Sequence, residues 1–294
     1  MGDTLLVFGL GYSGRAVALA AQAAGFSVIA TSRSLGERQF PPGIAGLDFA
    51  AAGPAIDRAT HLLATAPPAE AGDPVLARYA ANIFTAPRLR WIGYLSTTGV
   101  YGDRGGRWVD EDTPPAPGSA RTRRRVAAEV AWMGMQRGCA VDLFRLAGIY
   151  GPGRSALDDL RAGTARRIVK PDHEFGRIHR DDIAQAVLAA MRQAPLPGPR
   201  ILNLADDTPA ETARVVEEAA RLLGVEPPAA LPFAEAWARM SPMARSFWAE
   251  NRKVASRKTQ AALDIAWRYP SYREGLRAIL AEEGAEERGE GPAQ

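Results

Sequence analysis

Cysteine is almost missing from this 294-residue chain, Cys139 being the single one. One thiol makes neither an internal disulfide nor a multi-cysteine metal site. A reducing, cytoplasmic setting is expected, with Cys139, just before an apolar strand, as a small buried hydrophobe. Lysine is nearly as scarce. Three of the 36 basic residues are lysines (Lys170, Lys253 and Lys258), none precedes residue 170, and the other 33 are arginines. No apolar run reaches the ~18 residues of a membrane span. Met1 to Leu5 carries no basic stretch, so no signal peptide is expected. A strong charge imbalance is lacking too. The 33 acidic residues leave a net charge of +3, short of the one-sided basic surface a nucleic-acid binder needs. Neither nucleic acid nor membrane is an expected partner. With 47% hydrophobic and 23% charged residues, the chain reads as globular, not disordered.

What is present is alternation. Thr4–Phe8 is a short apolar run stopping at glycines, Gly14–Ala24 an alanine-rich helix closed by Gly25, and Ser27–Thr31 a second strand. That is a βαβ unit. Further strands are predicted at Leu47–Phe49, His61–Ala66, Trp91–Ser96, Asp142–Leu146 and Ile201–Leu204. Helices are predicted at Pro74–Thr85, Thr122–Arg137, Asp182–Gln193, Thr212–Leu223 and Tyr272–Glu282. The pattern predicts an α/β protein, a Rossmann-type doubly wound parallel sheet with a smaller, mostly helical C-terminal substrate lobe. The expected division is 1–150 and 178–206 for the cofactor domain, 151–177 and 207–282 for the lobe, and 283–294 for a flexible tail.

Gly9-Leu10-Gly11-Tyr12-Ser13-Gly14 matches G-x-G-x-x-G between a strand and a helix. Gly9 allows the tight turn, Gly11 lets a pyrophosphate approach the backbone, and Gly14 lets the helix pack on the strand. The helix N-terminus then faces the anion. An NAD site usually places a carboxylate about 20 residues onward, on the ribose 2′-OH. Here that place reads Thr31-Ser32-Arg33-Ser34. Ser32 and Arg33 suit a 2′-phosphate, so NADP is the expected cofactor, with NAD the alternative. Asp48 would flank the adenine, and Ala64, Thr65 and Ala66, at the end of the fourth strand, are further candidates for binding the cofactor.

Later segments resemble the extended and atypical short-chain dehydrogenase/reductases, the NAD(P)-dependent epimerase/dehydratase group. They are Ser96–Gly102, with its Val-Tyr-Gly ending, Asp110–Pro114, Phe144–Gly153, with its Tyr-Gly-Pro-Gly, and Arg177–Ala184, with its His-x-Asp-Asp. They stand in the family's order and, with the glycine loop, cover residues 1 to about 205. The resemblance implies a small-molecule substrate, a dinucleotide cofactor and often a homodimer. It also implies a Tyr-x-x-x-Lys pair, and this chain has none, because the residues four before its lysines are Arg166, Ala249 and Val254. Aligned on Glu129, the pair falls at Arg121 and Arg125. Arginine stays protonated and is no acid or base near neutral pH. It can clamp an anion or stabilise developing charge. Arg121 thus becomes a candidate substrate anchor and Arg125 a substitute for the lysine. At most two of the arginines on this helix are expected to face the cleft.

The resemblance places the catalytic hydroxyl at Thr97, with Ser96 as the neighbour in a slipped register. Tyr101 is a substitute proton donor, and His173 a further acid/base candidate. His179, Asp181 and Asp182 have poor spacing for a metal. Asp181 is expected to cap the helix beginning at Asp182, and no metal is expected. The basic stretch Arg154 to Lys170 suits a phosphorylated, nucleotide-linked or carboxylated substrate. Two functions remain open: an NADP-dependent oxidoreductase, epimerase or dehydratase, and a non-catalytic NADP(H)-binding sensor or interaction protein.

Overall fold

A computed structural model of the protein describes residues 2–37, 39–135, 138–193 and 198–287. Seven strands form one parallel sheet: β1 (Thr4–Phe8), β2 (Ser27–Ser32), β3 (Ile44–Asp48), β4 (His61–Ala64), β5 (Trp91–Thr97), β6 (Ala140–Leu146) and β7 (Gly198–Leu204). Their order in space is β7-β6-β5-β4-β1-β2-β3. The order reverses between β1 and β4, which opens a crevice at the carboxyl ends of the strands.

The strands read as apolar runs because both sheet faces are covered. Leu5 and Val7 enter one core, and Leu6 and Phe8 the other, as the period of two requires. On the first face lie α1 (Tyr12–Ala23) and, later in the chain, the helix Arg180–Arg192, which contribute Val17, Ala21, Ile183 and Val187. On the second lie α2 (Gly53–Arg58), α3 (Pro74–Thr85) and α4 (Ala120–Met133), with Ile56, Tyr79 and Trp132. Local signals start these helices. Asp73 accepts hydrogen bonds from the Val75 and Leu76 N–H groups ahead of Pro74, and Ser119 with Thr122 forms a reciprocal cap on α4.

A third cluster holds the smaller lobe together. Leu157 of α5 (Ala156–Arg161) packs with Val215 of the helix Thr212–Leu223 and with Tyr272, Leu276 and Ile279 of the last helix. Residues 207–282 do not all stay there. Val254, Leu263 and Trp267 join the core of the main sheet, and Lys253–Val254 pairs with Trp108–Val109.

Other boundaries differ from expectation. β3 starts at Ile44 and stops before Phe49, which opens a 3-10 turn capped by Asp48. β4 ends at Ala64, leaving Thr65 and Ala66 in the loop, and α4 ends at Met133. The last helix runs to Glu287, so the first five residues of the expected tail are helical. The expected helix end at Arg137 and the tail from residue 288 lie outside the described residues. Asp181 is not the cap of its helix, which starts at Arg180. His179 takes that place by accepting the Asp181 N–H on Nδ1. Asp182 turns inward instead and accepts the N–H groups of Arg268 and Tyr269 at 2.7 and 3.2 Å. Those two contacts fix the returning chain, so the inward carboxylate has a structural task.

Candidate active site

Four neighbouring strands deliver the residues expected to hold a dinucleotide. Phe8 is opposite both Thr31 and Ala64, and Ser32 is opposite Asp48. The glycine loop, Ser32–Arg33, Asp48 and Ala64–Ala66 therefore share one edge. Gly9 has φ +101°, and a Cβ there would stand 2.7 Å from Thr65 Oγ1. A Cβ on Gly14 would stand 2.4 Å from the Gly9 carbonyl oxygen. Gly11 is the opposite case, exposed and with nothing within 4 Å of its missing Cβ. No side chain caps α1, so its first N–H groups are left for a ligand. An open, uncapped cradle at Gly11 fits a pyrophosphate.

The other loop residues have distinct tasks. Thr65 Oγ1 donates to the Gly9 carbonyl at 2.7 Å and clamps the turn. Leu10 points into the core and Ser13 is buried, so Leu10 offers only backbone. Tyr12 donates to the Pro152 carbonyl at 3.0 Å, with Arg154 and Arg180 over its ring, which ties the loop to the lobe. Ser32 Oγ accepts the Ser34 N–H, and one Asp48 oxygen accepts the Ala50 N–H. Arg33 is exposed beside them.

Beyond the ends of β5 and β6 lies a cavity of about 410 Å³. Thr97, Thr98, Gly99 and Leu146 form its floor, and Phe175, Phe247, Trp248, Ile168 and Val254 its apolar walls. Arg121, Glu174, Arg177, Thr212, Glu250 and Arg252 bring polar groups. Thr97 Oγ1 accepts the Gly99 N–H at 3.1 Å, which leaves its own hydrogen to donate. Arg121 lies over the Phe247 ring at 4.7 Å. Glu250 pairs with Arg252 at 2.7 Å, and Glu174 with Lys253. Arg177 and Thr212 also line a neighbouring hollow of about 450 Å³ in the lobe.

Four expected candidates are engaged elsewhere. Arg125 does not line the cavity. It donates to the Tyr94 hydroxyl and the Leu95 carbonyl at 2.8 and 3.0 Å. Tyr101 is fully buried, and its hydroxyl donates to Asn203 at 2.7 Å. Burial raises its pKa, which makes it a poor proton donor to a crevice it does not reach. Ser96 is buried and donates to Glu129. His173 is buried against Trp248, within hydrogen-bond reach of that residue's carbonyl at 3.1 Å. Burial lowers its pKa, with Lys170 adding to the effect. Of the α4 arginines, Arg121 alone lines the cavity among the described residues. Cys139 is buried, and no cluster of three or more His, Cys, Asp or Glu suitable for a metal occurs among the described residues. No helix among them is long and apolar enough to cross a membrane.

The residues that the motifs did not reveal are Glu174, Arg177, Thr212, Phe247, Trp248, Glu250 and Arg252. Of these, only Arg177 lies within a family-like segment, Arg177–Ala184. Arg177 Nη1 donates to the carbonyls of Phe175 and Ala210 at 2.9 and 3.0 Å. Burial is the largest influence on its charge and disfavours the cation.

Beside it, Asp206 is buried with Oδ2 unpartnered, and burial pushes its pKa up to about 8. An unfolded aspartate titrates near ~3.9. Between those values the native chain holds a proton that the unfolded chain has lost, so the cost of burial grows as pH rises toward 8. Asp206→Asn is therefore expected to raise Tm at pH 8.5, by about 2–4 °C per kcal/mol relieved, with the gain fading toward pH 4. Thermal unfolding across pH measures this, and a gain largest at pH 4 contradicts it.

No protein-family model matches the chain. The fold is that of the NAD-dependent epimerase/dehydratase and atypical short-chain dehydrogenase/reductase proteins. It is shared with MoeE5 in complex with UDP-glucuronic acid and NAD (19% identity, TM-score 0.75, 95% of this chain and 98% of that one). It is also shared with human epimerase family protein SDR39U1 with NADPH (19%, TM-score 0.73, 95% and 99%). At these identities the likeness is one of fold. More narrowly, the chain belongs to the same family as a functionally unknown conserved protein from Silicibacter pomeroyi DSS, with 42% identity, TM-score 0.85 and coverage of 96% and 99%. Protein YeeZ of Escherichia coli K12 is 39% identical over 148 residues, 49% of this chain and 50% of that protein. The 3-diazoavenalumate denitrifying reductase of Streptomyces sp is 32% identical over 181 residues, 57% and 58%. The chain thus spans about half the length of the curated relatives it matches.

Proposed function

We propose that this protein is an NADP(H)-dependent oxidoreductase or epimerase of the atypical short-chain type, working without a Tyr-x-x-x-Lys pair on a small anionic molecule. The carrying observation is the cavity beyond the carboxyl ends of β5 and β6, with Thr97 and Arg121 in its lining, at the same end of the parallel sheet as the glycine loop that follows β1. A filled or purely apolar hollow would instead favour a sensor. The 32% identical reductase supports a redox reaction, and neighbours holding NAD or NADPH support a nicotinamide cofactor.

The N–H groups at the start of α1 would hold the pyrophosphate, with Ser32 and Arg33 on the 2′-phosphate and Asp48 near the adenine. When bound, the nicotinamide supplies hydride chemistry. The protein's own residues do the rest. Thr97 donates its hydroxyl hydrogen to a substrate oxygen and orients it. Arg121 supplies positive charge at the mouth, where it stabilises negative charge that develops on substrate. The apolar walls exclude water and strengthen both interactions.

The alternative is a non-catalytic NADP(H)-binding protein. Arg125 favours it, since it sits at the lysine position but is committed to Tyr94 and Leu95.

Titration with NADPH and NADH, followed by nicotinamide fluorescence, tests the cofactor reading. NADPH is expected to bind the more tightly. Arg33→Ala should weaken it about 10–100-fold, the worth of one charge-assisted contact, and leave NADH nearly unchanged. Equal affinities, unaffected by the substitution, would contradict NADP selectivity.

A further inference from the structure

The charges around the cavity do not cancel. Glu250 neutralises Arg252, and Lys253 neutralises Glu174. Arg177 donates to two backbone carbonyls and forms no salt bridge among the described residues, and the carboxyl beside it, Asp206, is buried and pushed up to a pKa of about 8, so it carries little charge at neutral pH. Arg121 rests on an aromatic ring. Two cations therefore face a cavity whose other walls are largely apolar. Phe175, Phe247 and Trp248 supply aromatic surface, and Leu146, Ile168 and Val254 aliphatic surface. Phe175 and Trp248 stand edge to face, with centroids 5.1 Å apart.

We propose that this cavity takes a small carboxylic acid with a flat, unsaturated body, its carboxylate on Arg177 and its body among Phe175, Phe247 and Trp248. This rests on the reading of the cavity as the substrate site and narrows its substrate class. A guanidinium fork matches a carboxylate in shape and charge. A cation taken out of water without a counter-charge is costly, and a bound carboxylate relieves that cost. Aromatic walls suit a π-system by stacking or edge contact. Among the residues proposed here, Arg177 is a substrate-binding group and Thr97 the one nearest the chemistry.

Calorimetry with trans-cinnamate and with trans-cinnamamide separates charge from shape, since the two differ only in the carboxylate. UDP-glucose is run as a competitor, and NADPH affinity is measured in the same samples. Cinnamate should bind at least tenfold more tightly than the amide. Arg177→Gln should bring the acid down to the level of the amide. Phe247→Ala, at a half-exposed position, should weaken acid and amide by a similar factor, so the test stands even if the Arg177 variant does not fold. Equal binding of acid and amide, no binding of either, or displacement of cinnamate by a more tightly held UDP-glucose overturns the proposal. Loss of the cofactor reading has a different signature: no NADPH binding while cinnamate still binds.

Discussion

Glu129→Ala is expected to lower the stability of the protein by about 3–5 kcal/mol, the cost of stranding a buried charge. Glu129 lies on α4 and takes both Arg145 Nε and Nη2, at 3.1 and 2.7 Å, on its two oxygens. Both side chains are 2% exposed. Ser96 adds a hydroxyl donor, and the Arg145 guanidinium lies 4.8 Å over the Tyr101 ring. Alanine removes the only counter-charge paired with Arg145 among the described residues and leaves a cavity as well. The paired replacement Glu129→Leu with Arg145→Met should recover most of the loss, because two apolar groups need no partner. Urea unfolding of the two single variants and the double variant measures this. A loss below about 1 kcal/mol for Glu129→Ala would show that the site is wetter than its burial indicates. The location gives the network its importance. It fastens α4, which carries Arg121, to the end of β5, which carries Thr97.

Gly11→Ala and Gly14→Ala should both weaken NADPH binding about 100-fold or more, for different reasons. At Gly14 the new methyl meets the Gly9 carbonyl oxygen at 2.4 Å. Backbone must move, so the protein should lose thermal stability together with binding. At Gly11 the new methyl meets nothing, and Tm should hardly change. It fills the space through which a pyrophosphate would reach the α1 N–H groups, and charge-assisted bonds worth about 1.5–3 kcal/mol each are lost. The contrast between Tm and nicotinamide fluorescence is the measurement. Wild-type NADPH affinity in Gly11→Ala would mean that the loop does not face the cofactor.

Much of the scaffold was legible from the chain because it follows local rules. Thr4–Phe8, the glycine loop and α1 are one short stretch, and a short apolar run stopped by glycines before a helix has few other readings. The parallel sheet followed from the same logic, since parallel neighbours need helical crossovers, whereas the order of its strands came from the structure. Residues brought to the glycine-loop edge lie directly after strands, where sequence position and spatial position coincide. Legibility failed where a side chain chose between partners far away in sequence. Asp181 is the better cap on paper, and only the structure shows His179 in that place while Asp182 turns to Arg268 and Tyr269. Arg121 and Arg125 share a helix face at a spacing of four, yet one borders the cavity and the other binds Tyr94 and Leu95.

Residue order alone was enough for the parallel sheet, the anion cradle at Gly9–Gly14, the missing carboxylate after β2 and the missing Tyr-x-x-x-Lys pair. Each is a matter of spacing within one or two neighbouring elements, and backbone geometry carries it. The cavity belongs to the tertiary structure. Its lining comes from residues 97–99, 121, 146–148, 168, 174–177, 212, 247, 248, 250, 252 and 254, segments that no pattern along the chain connects. Which of its charges are cancelled is settled there too. Ion pairing is a property of distance in space, and only the packed chain brings Lys253 to Glu174 and sets the buried Asp206 carboxyl beside Arg177.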